Sequence, residues 1–163
     1  MTETVLISFT LLLGVFYFSF PKHISGLEQV FMALVTGFIF CSYISIFGDN
    51  LEWWKVHDKH QATFKIVEIV GKTFVVLMVF SLFAKRKRNI KNHILSICLY
   101  VGSIVSINVL CMVFNAVDYK GKWYAFSPFL YTCTFLFLSF LHRKYRNVLI
   151  KEGVDDHEGT TTS

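Results

Sequence analysis

The sequence predicts an all-α integral membrane protein, a bundle of five transmembrane helices with its N-terminus outside and its C-terminus in the cytoplasm. Of the 163 residues, 54% are hydrophobic and 17% are charged, whereas a soluble domain has about 45–50% and about 25%. The hydrophobic residues form five blocks separated by polar segments. A chain of this size has too little interior to hide so much apolar surface, so lipid is its expected environment.

The first two blocks cover residues 5–20 and 30–47. Block one carries no charge but is short for a membrane span. It lacks the basic flank and the small-residue cleavage site of a signal peptide, which predicts a retained helix. If it does not span, the bundle has four transmembrane helices. Before block two, Ser25 and Glu28 have the spacing of a capping box and mark a helix start.

The remaining blocks cover residues 66–84, 94–117 and 124–141. In the polar stretch before block three, Asp49 and Glu52 have the spacing of an N-cap and its N3 partner. We therefore expect a short interfacial helix there, with the indole rings of the following tryptophans at the head-group level. Residues 1–152 are predicted to form a single transmembrane helical domain and residues 153–163 a disordered cytoplasmic tail.

The basic residues predict the orientation. If the five blocks cross in turn, ten Lys and Arg lie on one side and five on the other. The basic-rich side is the cytoplasmic one. It holds the basic residues of positions 22, 85–91 and 143–151, and the opposite side holds those of positions 55–65 and 120–122.

Glu68 and Lys72 interrupt block three and share a helix face because they are four residues apart. Ionisable residues within a span are costly and are candidates for a functional role. The alternative is a structural ion pair, since Lys72 can extend its side chain toward Glu68 and the interface. The pair is therefore predicted either to stabilise the bundle or to serve an ion, a proton or a substrate.

Two further stripes are candidate sites. In block two, small residues repeat every four positions and would allow another helix to approach closely: Ala33, Gly37, Cys41 and Ser45. In block four, polar residues fall within less than half of the helix circumference: Ser96, Tyr100, Ser103, Asn108, Cys111 and Asn115. A polar face of this kind lies against other helices or lines a cavity rather than meeting lipid.

Neither a metal nor a cofactor is expected. His57 and His60 lie one helical turn apart, but a zinc site needs a third protein ligand that nothing fixes in place, although nearby acids could supply one. The four cysteines lie in apolar blocks without CxxC spacing and are predicted to be packing residues. The sequence carries no catalytic motif. Nucleic acid is not expected as a partner, since the basic residues lie between apolar blocks.

The order of several short motifs resembles a family of small uncharacterised multi-pass membrane proteins of spore-forming bacilli and clostridia. These motifs are Phe20-Pro21-Lys22, Leu27-Glu28, an aromatic and acidic outer loop, and Lys122-Trp123-Tyr124 followed by Pro128. The family's Cys-Tyr-Pro-like turn reads Phe126-Ser127-Pro128 here. The resemblance covers most of residues 5–145 and implies a bacterial cytoplasmic-type membrane.

These features predict a non-enzymatic membrane protein that acts by helix–helix association with itself or with a partner complex. The alternative is a small transporter or channel subunit that uses Glu68 and Lys72. A third hypothesis is a membrane-embedded enzyme or sensor that uses His57 and His60. The expected partners are the lipid bilayer and either another membrane protein or a second copy of the chain.

Overall fold

The computed structural model describes residues 2–19, 24–84 and 90–152. Within these residues the chain forms five long helices and one two-stranded sheet. The helices are α1 (Thr2–Ser19), α2 (Gly26–Tyr43, continued by the π-helix Ile44–Asn50), α3 (Gln61–Ile66, the π-helical turn Val67–Gly71, then Lys72–Ala84), α4 (Ile90–Val113) and α5 (Gly121–Lys151). The strands are β1 (Trp54–Val56) and β2 (Val117–Tyr119). Lys22, the basic run 85–88 and the tail 153–163 lie outside the described residues.

Among the described helices, α2, α3, α4 and α5 are long and apolar enough to cross a membrane, by length and composition. Helix α1 is apolar but shorter. At about 1.5 Å per residue it spans roughly 26 Å, slightly less than the roughly 30 Å of a hydrocarbon core. The structure thus has the predicted set of apolar helices, with the first block again the shortest.

Helix α3 is the central element. In its most apolar 18-residue window 61% of the residues are buried, against 22–33% in the other three long helices. It contacts α1, α2 and α4, while α5 packs against α4 and α2. Helix α1 runs parallel to α3, because Glu3 lies against His60 near the start of α3 and Gly14 lies against Phe74 further along.

The two short strands join loops that are distant in sequence. β1 follows α2, β2 follows α4, and the strands pair antiparallel with Trp54 opposite Tyr119. The Lys120 N–H donates to the Trp53 carbonyl at 2.8 Å and extends this contact. The ends of α2 and α4 and the starts of α1, α3 and α5 therefore meet at one end of the bundle, here called the sheet end.

Aromatic rings fill the sheet end. The Trp54 and Trp123 rings meet edge to face at a centroid distance of 4.4 Å, and Phe47 lies 5.6 Å from Trp123. A Cβ atom on Gly48 would lie only 2.8 Å from the Trp54 Nε1 atom. Glycine at this position lets the end of α2 pass close to the indole ring.

The predicted interfacial helix from Asp49 is wrong. Asp49 lies in the π-helical end of α2, Glu52 adopts a left-handed conformation with φ 50°, and Trp54 enters β1. Pairing with β2 satisfies backbone groups that a helix would otherwise satisfy. Because of this strand pairing, the chain is not entirely α-helical as predicted. Val117, which the sequence places in block four, belongs to β2.

Two helices extend well beyond their apolar blocks, because polar residues continue a helix past its apolar part. Helix α3 begins five residues before block three, and α5 continues ten residues beyond block five. The capping box before α2 is confirmed: Glu28 N–H donates to Ser25 Oγ at 3.3 Å, and Ser25 N–H donates to Glu28 Oε2 at 2.9 Å.

Candidate functional site

The charged residues of block three form a buried ion pair on α3. Glu68 lies in the π-helical turn and Lys72 follows that turn directly. Lys72 Nζ lies 2.5 Å from Glu68 Oε2, and the two residues are 1% and 5% exposed. Isolated π-helical turns within α-helices occur often at functional sites. The pair thus combines an unusual backbone with two enclosed charges.

Two other helices contact the Lys72 ammonium, and a third contacts it indirectly through Tyr131. It donates to the Tyr131 hydroxyl of α5 at 3.3 Å, and Asn108 Nδ2 of α4 donates to the same hydroxyl at 2.9 Å. The Phe40 ring of α2 lies 5.6 Å from Lys72 Nζ, within cation–π range. Glu68, Lys72, Asn108 and Tyr131, here called the polar network, therefore link α3, α4 and α5 inside the bundle.

Some acceptors of this region are not used. Glu68 Oε1, Asn108 Oδ1 and the Tyr100 hydroxyl are buried and have no hydrogen-bond partner within the part of the chain that the structure describes. The Tyr131 hydroxyl already accepts two hydrogen bonds, so its own proton needs another acceptor. A buried polar group without a partner costs about 1–3 kcal/mol. The network therefore has capacity for further hydrogen bonds.

The polar network is enclosed. Within residues 2–19, 24–84 and 90–152, neither Glu68 nor Lys72 lines the two cavities of the sheet end or a third cavity between α4 and α5. A small cavity of about 40 Å³ between α4 and α5 does reach Asn108, but its wall is almost entirely apolar. These cavities therefore do not give water or solute a polar route to the ion pair.

Tyr119 lies outside the long apolar helices, at the sheet end. Burial raises the pKa of its phenol well above the usual value, and the negative charge of Glu68 raises this pKa further. The phenol therefore stays neutral at physiological pH.

The small-residue stripe of α2 lies beside the buried face of that helix. Ala33 and Gly37 are half-buried, whereas Cys41 and Ser45 are exposed. A Cβ atom on Gly37 would have Ile69 Cγ2 as its nearest neighbour, at 4.0 Å. Within one chain the stripe therefore makes no unusually close helix contact. Its contact with a second chain stays a prediction.

The polar face of α4 points mostly inward. Ser96, Tyr100, Asn108 and Cys111 are buried, and Ser103 is half-buried. Asn115 is the exception, because it lies beyond the end of α4, is exposed and adopts a left-handed conformation with φ 51°. Asparagine tolerates this conformation in turns. The sequence pattern thus extended one turn past the actual helix.

The two histidines of the sheet end have separate acidic neighbours. His57 Nε2 lies 3.3 Å from Asp118 Oδ2, and His60 Nδ1 lies 3.2 Å from Glu3 Oε1. Among the described residues there is no group of three side chains that could hold a metal ion. The histidines instead connect the segment before α3 to β2 and to α1.

A second buried carboxylate, Glu28, which the sequence predicts only as part of a helix cap, lies at the opposite end of the bundle. Glu28 Oε1 lies 3.4 Å from His142 Nε2 and 3.9 Å from Arg146 Nε. Beside it, the rings of Phe31 and Tyr145 stack at 4.1 Å. The available signals were the i, i+4 spacing of His142 and Arg146 and the presence of an acid, Glu28, on the basic side of the bundle.

No family model, curated protein or solved structure matches this chain. The resemblance to the membrane proteins of spore-forming bacteria therefore stays a prediction.

Proposed function

We propose that the chain is a five-span membrane protein that acts without catalysis, through helix–helix association with itself or with a partner complex. In this proposal Glu68 and Lys72 form a structural pair that holds the bundle together. The enclosure of the pair is the observation that carries the proposal, because a site for transport needs a polar route to its charges. The proposed location is the cytoplasmic-type membrane of a bacterium.

Two features support the proposed topology. The starts of α1, α3 and α5 gather at the sheet end, as alternating crossings require. The five basic residues assigned to the outside belong to this end, and the described ones of those assigned to the inside belong to the opposite end: Lys91, Arg143, Lys144, Arg146 and Lys151. The sheet end is therefore the proposed outer end, and Lys and Arg are concentrated on the proposed cytoplasmic side.

The surface of α2 supports association. Its most apolar window is only 22% buried, the lowest share among the four long helices. Leu34 and Phe38 are exposed, and the small side chains of Cys41 and Ser45 lie near them on the outward surface. Small residues let the backbone of a second helix approach closely in lipid. Helix α2 thus has the smallest buried share of the four long helices and offers an apolar surface to a neighbour.

Reporter fusions test the topology. Reporters placed after Lys59 and Lys120 should be outside, and reporters placed after Lys87 and Lys151 should be cytoplasmic. A cytoplasmic reporter after Lys59 would contradict the proposal, since all described elements of the sheet end lie together.

Cysteine cross-linking tests the association. Cys41 and Cys98 are both exposed, on α2 and α4 respectively. In native membranes, a chain with Cys41 as its only cysteine should cross-link to itself or to a partner. A chain that retains only Cys98 should not. Gly37→Leu should reduce the cross-link, and the matched control Leu12→Ile on α1 should not. Equal cross-linking at both positions would show that α2 has no special role.

The second candidate function is a small transporter or channel subunit that uses the polar network. The unused buried acceptors and the π-helical turn favour it. In that case the charges of Glu68 and Lys72 are needed for activity even in a well-folded protein. The double substitution described at the end of the Discussion separates the two functions.

A further inference from the structure

The sheet end contains a cavity that the function proposed above does not use. Its volume is about 410 Å³, within the roughly 300–1,000 Å³ of small-molecule sites. The end of α2, the turn at Glu52, β1, the start of α3 and Lys120 line it. Residues from three stretches of the chain, 44–56, 61–65 and Lys120, therefore form one cleft.

The floor of this cavity is apolar and held in place. Ile44, Trp54 and Phe64 line it and are 7%, 5% and 1% exposed. The Trp54 ring packs against Trp123, and its strand is paired with β2. Gly48 also lines the cavity and leaves room for the indole. A floor of this kind is already formed before a ligand arrives, which lowers the entropic cost of binding.

The rim of the cavity is charged and has an excess of cations. Lys120 Nζ lies 3.7 Å from Glu52 Oε2, so these two charges offset each other. The other charged residues of the rim are Lys55, Lys65 and Asp49. None of these three forms an ion pair within the part of the chain that the structure describes. The strand neighbour of Lys55 is Asp118, which pairs with His57 instead.

We propose that this cavity binds an organic anion in which one phosphate or carboxylate group is joined to an aromatic or aliphatic body. The body lies on the floor of Ile44, Trp54 and Phe64, and the anionic group meets the ammonium groups of Lys55 and Lys65. The single unpaired carboxylate, Asp49, leaves the rim with a net positive charge. The ligand source is either a soluble organic anion or the head group of an anionic phospholipid.

The test uses the full chain in nanodiscs of phosphatidylcholine, with indole fluorescence as the readout because Trp54 forms the floor. Phenyl phosphate represents a soluble organic anion. Inorganic phosphate, which lacks the body, and phenol, which lacks the charge, should each bind more weakly than phenyl phosphate. Binding should also weaken as ionic strength rises, since the rim charges are exposed to solvent.

The variant Lys55→Gln with Lys65→Gln should bind phenyl phosphate about tenfold more weakly, as expected for the loss of two partly exposed charge pairs. The matched control is Lys59→Gln with Lys122→Gln, which removes two lysines near the same end that do not line the cavity. The control variant should bind like the unchanged protein. An equal loss of binding in both variants would show that only the general positive charge matters, and would overturn the proposal.

Replacing part of the phosphatidylcholine with phosphatidylglycerol distinguishes the two sources. If phosphatidylglycerol suppresses the phenyl phosphate response, and the suppression requires Lys55 and Lys65, the ligand is a lipid head group. If phenyl phosphate binds equally well in both bilayers, the ligand is a soluble anion. If phenyl phosphate does not bind saturably and phosphatidylglycerol does not bind either, the proposal is wrong. Neither result depends on whether the chain associates through α2.

Discussion

The described part of the chain contains two Glu–Lys ion pairs in very different environments. In the middle of the bundle, the side chains of Lys72 and Glu68 are 1% and 6% exposed. At the sheet end, those of Lys120 and Glu52 are 58% and 78% exposed and 3.7 Å apart. An exposed pair contributes about 0–1 kcal/mol, whereas breaking a buried pair costs about 3–5 kcal/mol. A Glu–Lys ion pair is thus important for the stability of the bundle where it is buried and contributes little where it is exposed.

The comparison also shows how each region is stabilised. In the middle of the bundle, charges and hydrogen bonds link α3, α4 and α5 through Tyr131. At the sheet end, ring packing and backbone hydrogen bonds between β1 and β2 hold the loops together. Substitutions of charge should therefore have large effects in the middle and small effects at the sheet end. At the sheet end, substitutions that change the size of a side chain should instead have the larger effects on stability.

The largest expected effect is that of Lys72→Met. It leaves Glu68 buried and unpaired and should lower the free energy of unfolding by about 3–5 kcal/mol. Unfolding in detergent measures this loss, with Lys120→Met as the exposed counterpart. If both substitutions have similar small effects, the ion pair of α3 is solvated, and the buried pair does not contribute more to stability than the exposed one.

Tyr131→Phe should have the next largest effect. It removes the acceptor of both Lys72 and Asn108 and should cost about 2–3 kcal/mol, since two buried donors lose a partner. The control is Tyr124→Phe, because the Tyr124 side chain is half exposed and its hydroxyl contacts the Met112 sulfur. Equal destabilisation by the two changes would show that the Tyr131 hydroxyl does not stabilise the bundle through Lys72 and Asn108.

Gly48→Ala tests the role of shape at the sheet end. The added Cβ meets the Trp54 indole, and overpacking of this kind should cost about 1–2 kcal/mol. Gly102→Ala on α4 is the control, since no heavy atom lies within 4 Å of its Cβ position. In an exposed helix interior, this control should instead stabilise by about 0.5–1 kcal/mol. Changes of the same sign at both glycines would contradict the close approach at Trp54.

The smallest expected effect is that of Glu52→Gln at the exposed pair. It should change the free energy of unfolding by less than about 1 kcal/mol, and high salt should reduce the difference further. Unfolding at low and high ionic strength measures both. A loss comparable to that of Lys72→Met would mean that the sheet end depends on its charges.

Much of this architecture could be predicted from local patterns. Apolar blocks and the capping box at Ser25 mark the helices because a helix start and its periodicity depend on residues close in sequence. The i, i+4 spacing likewise predicts that Glu68 and Lys72 share a face. The sheet end could not be predicted in this way. Trp54 becomes a strand residue only because Tyr119, far along the chain, lies opposite it.

The same limit applies to the site. Asn108 was indicated by the polar face of α4, but Tyr131 is one aromatic residue among many in an apolar block. Only the packing of α5 against its neighbours brings its hydroxyl to Lys72. Glu28 was predicted as a cap, and its contact with His142 likewise depends on α5. Partners that are brought together by helix packing carry no short-range signal in the sequence.

The most direct test of the structural role of the ion pair is the double variant Glu68→Gln with Lys72→Met. It removes both charges, so neither residue is left buried as an unpaired ion. We expect it to recover much of the unfolding free energy that Lys72→Met loses, to retain cross-linking through Cys41, and to complement the phenotype of a deletion strain. A double variant that is stable and correctly inserted but fails to complement would contradict this account and would assign Glu68 and Lys72 to transport.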